Sequence, residues 1–131
     1  MEHYDPYKAV DAEEWLALDE AERMDLVRAY HEQAGIELPN QRVHAAVHTM
    51  VETQVAMGDE LPVRRKLAAL MKQGLSRHEA VHAIACVLGD LIYHMMRGEQ
   101  APEQADERYY QDLSRLTAAS WRAEFADPDA E

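Results

Sequence analysis

Four of the five glycines in this 131-residue chain, Gly35, Gly58, Gly74 and Gly98, each close a stretch of helical periodicity. That punctuation leaves little room for anything but a bundle of helices. The starts are marked as clearly as the stops. Asp19-x-x-Glu22 and Ser76-x-x-Glu79 are capping boxes, in which side chain and backbone at a helix start satisfy each other. Pro39-Asn40 opens another helix with Asn40 as cap, Pro62 suits a first turn, and Pro102 opens the last helix. The marks predict helices over 12–18, 20–34, 40–57, 62–73 and 77–97, then a final one of about 20 residues from Pro102. No alternating run of β-branched residues reads as a strand. The expectation is an all-α, single-domain bundle of about five helices over 1–131, with 1–10 and 126–131 frayed. Because 62–73 reads as a short return, the 40–57 and 77–97 helices are expected to run roughly parallel.

Charge narrows the partners. The net charge is -12, but residues 1–37 carry eleven acids and three bases, residues 99–131 nine and three, and residues 38–98 five and seven. A nucleic-acid surface needs a basic footprint. The only basic run, Arg64, Arg65 and Lys66, reads as the solvated side of a helix, so no nucleic acid is expected. No apolar run approaches the roughly 20 residues that span a bilayer, and the acidic start MEHYDPYKAVDAEEW lacks the features of a secretion signal. A single cysteine, Cys86, excludes an internal disulfide framework and fits a reducing compartment. No membrane is expected, and a cytoplasmic location is.

The chemistry lies in the middle segment. His44 and His48, and again His78 and His82, stand four residues apart, so each pair projects from one side of its helix. Glu52 follows His48 by one further turn. At about 100° per residue with Val43 at zero, Val43, Val47, Met50, Val51 and Met57 define the apolar arc of their helix. His44 then lies near 100° and faces the core, while His48 at about 140° and Glu52 at about 180° step towards the polar edge. Gln54 falls inside the apolar arc, where a buried amide needs partners. On the later helix, His78 and His82 flank an arc of Val81, Ile84, Ala85, Leu88, Leu91, Ile92 and Met95, and His94 points elsewhere.

Neutral imidazole is the commonest metal-binding side chain. Two pairs at matching depth predict a site for a divalent transition metal held by His44, His48, His78 and His82, with Glu52 close by. Such ligands suit zinc, nickel, copper or iron. Four bound imidazoles make a structural or storage site. Three or fewer leave a position for water, with Glu52 or Glu79 as base. Cys86, about a turn beyond His82, is a further thiolate candidate, although small buried cysteines usually only pack. The competing reading, of another class, is a metal-free interaction or regulatory module whose acidic flanks meet a basic partner and whose histidines are bonded to carbonyls. A protein partner or a homo-oligomer stays open in either case.

Two metal-protein motifs come close. His78-Glu79-Ala80-Val81-His82 resembles the H-E-x-x-H of zincin metallopeptidases, where the glutamate is the general base. Here Glu79 already serves the Ser76 capping box, the motif opens its helix, and no strand is evident to hold a peptide. His48-x3-Glu52 and His78-x3-His82 resemble the ligand pairs of hemerythrin-like iron proteins, with His31 as the candidate first histidine. His94 lies off the required side, and only one of the two Glu-x-x-His motifs of ferritin-like sites is present.

The stretch from Leu38 to Arg97 resembles a small bacterial family known as a domain of unknown function. Its members share a Pro-Asn opening, an H-x3-H pair, an E-x-Q step, a central proline and a later H-x3-H helix. Here these are Pro39-Asn40, His44/His48, Glu52-Thr53-Gln54, Pro62 and His78/His82. Residues 11–34 resemble other uncharacterised bacterial proteins. The resemblance implies a bacterial, cytosolic, helical protein and no particular activity.

Overall fold

A computed structural model describes residues 1–35 and 41–124, with the side chains of 41 and 124 excepted. Seven α-helices and no strand occur among the described residues: α1 (Ala12–Ala17), α2 (Glu20–Gln33), α3 (Gln41–Ala56), α4 (Val63–Lys72), α5 (Arg77–Met96), α6 (Ala105–Arg115) and α7 (Ala118–Glu124). The all-α bundle is as the sequence predicts. Both capping boxes form, Asp19 with Glu22 and Ser76 with Glu79. Gly35, Gly58, Gly74 and Gly98 all take positive φ, the conformation that ends a helix and that only glycine adopts without strain. The expected Asn40 cap and the tail from 126 lie outside the described residues.

The hydrophobic interior has two parts. A larger core joins α3 to α4, α5, α6 and α7 around Val51, Val63, Leu70, Ile84 and Leu113. A smaller one holds Tyr4, Trp15, Val27 and Ala45, and so ties the N-terminal segment, α1 and α2 to α3. Helix α5 packs on α3, α4, α6 and α7. By length and composition it is apolar enough to cross a membrane, against the sequence reading that no run approaches that length. Its buried residues lie between Arg77 and Leu91, and its C-terminal end is exposed at Tyr93 and Met96.

Four expectations need correction. The N-terminal ten residues are not frayed at their middle. Tyr4 is 5% exposed, Pro6 is fully buried, and the Pro6 carbonyl accepts from Arg77 Nη1 at 3.1 Å. The final helix is two helices. Leu116 is extended, and Thr117 starts a new helix by exchanging backbone-to-hydroxyl hydrogen bonds with Ser120 at 2.9 and 3.0 Å. This Thr-x-x-Ser pair is a cap signal inside what reads as one periodic run.

The buried side of α3 is also turned from the expected arc. Val47 and Val51 are buried, but Val43, Met50 and Met57 are exposed, at 53%, 41% and 45%. His48 and Glu52, assigned to the polar edge, are instead fully buried. A polar network takes the centre of that face and rotates the methionines outward. Finally, contacts between α3 and α5 advance in opposite senses: His44 with His82, His48 with His78 and His82, Glu52 with Arg77. The roughly parallel course expected from a return helix does not describe this register. At about 1.5 Å per residue, ten-residue α4 is too short to retrace sixteen-residue α3. Helix α5 therefore starts beside the C-terminal half of α3.

Candidate metal centre

Five histidines from three helices meet where the two cores join. His31 comes from the last turn of α2, His44 and His48 from α3, and His78 and His82 from the first turns of α5. The ring centroids of His78 and His82 are 4.3 Å apart, those of His44 and His82 4.8 Å, and those of His31 and His48 5.3 Å. His31, His48, His78 and His82 are all buried, and each offers one ligand atom within 4.8 Å of the others. His44 stands at the edge of this group, half-buried, with Nε2 3.2 Å from His31 Nε2.

The sequence-derived set and the assembled set thus share His48, His78 and His82. His31 joins them, and its signal was present: it follows the fully buried Val27 by four residues, on the same side of α2. Its Nδ1 lies 2.8 Å from the Val27 carbonyl, which fixes the ring.

Glu52 is not in the assembled set, because both of its oxygens are engaged elsewhere. Arg77 donates from Nη1 to Oε2 and from Nη2 to Oε1, each at 2.8 Å. Both side chains are buried, at 5% exposed for Arg77 and 0% for Glu52. The Tyr4 hydroxyl donates to the same Oε2 and lies 2.8 Å from His48 Nε2. A chain of contacts therefore runs Arg77–Glu52–Tyr4–His48 and places the carboxylate behind the imidazoles. No local pattern links Tyr4 or Arg77 to α3, and sequence reasoning missed both. Tyr7 and Tyr30 complete the wall, each edge-on to His78 at 5.2 and 5.6 Å between centroids.

The electrostatics favour a neutral His48 ring. Burial holds His48 well below the usual histidine range, and the neighbouring His82, His31, His44 and His78 push the same way. Burial, reinforced by the Glu52 charge, raises Tyr4 well above its ordinary value and keeps its hydroxyl protonated. For Arg77 burial acts downward, but the hydrogen bonds and charge of Glu52 more than offset it and leave it raised. His48 Nδ1 is buried and makes no hydrogen bond.

The remaining candidates lie apart. Glu79 is exposed, and its carboxylate accepts from the Ser76 backbone N–H at 2.9 Å, so the glutamate of H-E-x-x-H serves the helix cap. Gln54 accepts from the Tyr109 hydroxyl at 2.6 Å and joins α3 to α6. His94 is half-buried beside Asp90 and Glu99, at 3.5 and 3.7 Å. Cys86 is half-buried on α5 and is not a member of the four-residue group.

A family model for a domain of unknown function, DUF1841, matches residues 11–115, and the chain belongs to that family. The match covers all five clustered histidines, with Glu52 and Arg77; Tyr4 precedes it. No curated protein and no solved structure matches the chain.

Proposed function

We propose that this protein binds a divalent transition metal through His31, His48, His78 and His82, and that the ion ties α2 to the α3–α5 pair. The observation that carries the reading is the burial of four imidazoles whose ligand atoms lie within 4.8 Å of one another. Four imidazoles converging in a buried space form a donor set that a single cation can ligate. The spread is wider than the roughly 3.3 Å separating nitrogens around a tetrahedral ion bound at about 2.0–2.1 Å, so the rings swing inward on binding. All-imidazole ligation suits zinc, nickel, copper or iron. Four protein ligands closing on one ion favour a structural role over a catalytic one, which keeps a position for water.

The peptidase alternative is weakened by Glu79, which faces solvent in its cap. A hemerythrin-like di-iron site is weakened by Glu52, whose oxygens are held by Arg77 and Tyr4. The metal-free regulatory module remains the competitor, and metal analysis separates the two. Untagged protein purified without added metal or chelator should carry close to one equivalent of a single transition metal, or take it up on reconstitution. Protein that stays empty after zinc, nickel and ferrous iron have each been offered ends the metal reading.

A further inference from the structure

We propose that Tyr4 is a positioning residue that selects Nδ1 of His48 as its metal-binding nitrogen. The first half of the inference concerns a proton and is independent of any metal. The second, that Nδ1 ligates, rests on the metal site proposed above.

The protons can be followed along the chain of contacts. Arg77 meets both oxygens of Glu52 in a buried, bidentate pair, so Glu52 is a carboxylate and can only accept. The Tyr4 hydroxyl has one proton, and Glu52 Oε2 takes it. Towards His48 Nε2, at 2.8 Å, the same oxygen has only lone pairs left. A contact of that length is a hydrogen bond only if Nε2 carries the hydrogen. A neutral imidazole has one N–H, so His48 Nδ1 keeps its lone pair. That nitrogen is buried and makes no hydrogen bond, as a metal-binding nitrogen should.

The opposite arrangement, in which Tyr4 donates to His48, would set two lone-pair oxygens against each other at Oε2. It would also withdraw the proton from the stronger acceptor.

His31 is fixed the other way round. Its Nδ1 faces the Val27 carbonyl, which can only accept, so Nδ1 holds the proton and Nε2 keeps the lone pair, which faces His44 Nε2 at 3.2 Å and which an ion would take over from that contact. The site is therefore of mixed hand, one ring binding through Nδ1 and another through Nε2. The N-terminal segment that brings Tyr4 in, held by the Arg77 contact to the Pro6 carbonyl, is part of its design.

The test is a long-range proton–nitrogen NMR spectrum of the 15N-labelled full chain, first metal-free and then with stoichiometric zinc. Metal-free protein should show His48 protonated at Nε2 and bare at Nδ1, and zinc should move the Nδ1 signal of His48 and the Nε2 signal of His31. Tyr4→Phe keeps the ring that packs on Trp15 and Tyr30. It should lower zinc affinity about 10–100-fold with stoichiometry unchanged, and the His48 Nε2–H should exchange faster. His48 protonated at Nδ1 in the metal-free wild type overturns the inference, whatever the variant does. Zinc on Nε2, or a Tyr4→Phe affinity equal to wild type, overturns the positioning role. If Nε2–H is found but zinc does not bind, the proton assignment stands, and the metal reading falls together with the ligand assignment.

Discussion

Arg77 and Glu52 form a bidentate ion pair between the first residue of α5 and the C-terminal half of α3, with both contacts at 2.8 Å and both side chains buried. A pair so placed is costly to assemble and more costly to break, because either partner left alone is a buried, uncompensated charge. Arg77→Met should therefore destabilise the protein by about 3–5 kcal/mol, whereas Arg77→Met combined with Glu52→Gln should recover much of that loss. Denaturant titration of the two variants decides it. A double variant less stable than the single one would mean that Glu52 is held chiefly by Tyr4 rather than by the guanidinium.

Trp15 is the largest residue of the smaller core and is fully buried, with its indole N–H donating to the Thr53 hydroxyl at 3.1 Å. It pins α1, only six residues long, onto α3. Trp15→Ala should cost about 3–5 kcal/mol, mostly as a cavity. Thr53→Val leaves the packing and removes the hydroxyl that accepts from Trp15 and donates to the Thr49 carbonyl, so about 1–3 kcal/mol is expected. Thermal melts of both variants rank the two contributions, and equal losses would contradict the cavity account.

Histidine substitutions separate ligands from neighbours. His31→Ala and His82→Ala each remove a member of the buried group of four and should abolish stoichiometric metal. His44 is half-buried at the edge of that group, so His44→Ala should retain full metal content. In protein that retains its metal, free ion at 100 times its dissociation constant should add about 2.7 kcal/mol of stability, which a chelator removes. Metal analysis of the three variants, with melting curves before and after chelation, makes the check. Loss of metal from His44→Ala would make it a ligand and the site five-coordinate.

The helices were legible because their ends are written in local chemistry. Capping boxes at Asp19 and Ser76 and glycines at positive φ act over a few residues, and any reader of the chain can find them. The same rule was available at Thr117 and Ser120, where an unbroken apolar rhythm concealed it. The histidine pairs were legible from their spacing, but the buried side of α3 was not. Hydrophobic periodicity assumes that the core is apolar, and on α3 His48 and Glu52 are as deeply buried as Val51 while Met50 faces outward. Tyr4 illustrates the other limit. It lies 44 residues from His48 in the chain, in a segment with no periodicity, and only tertiary packing brings the two together.

Buried His48 makes stability depend on pH, with a definite sign. Burial and the surrounding imidazoles hold His48 well below its ordinary value of about 6.5 in the folded protein. Below that pH the unfolded chain protonates this ring while the folded protein resists. The unfolded state then binds more protons, and stability falls as pH falls. The contribution of His48 is complete above about pH 6.5 and is lost progressively as pH drops towards its folded-state value. Metal-free protein should accordingly show a lower denaturant midpoint at pH 5.5 than at pH 7.5, and His48→Gln should flatten the difference. Acid should also release bound metal, because protons and the ion compete for the same lone pairs. A midpoint that stays level or rises between pH 7.5 and 5.5 would mean that the buried ring is protonated in the fold, which is incompatible with a cluster built to hold a cation.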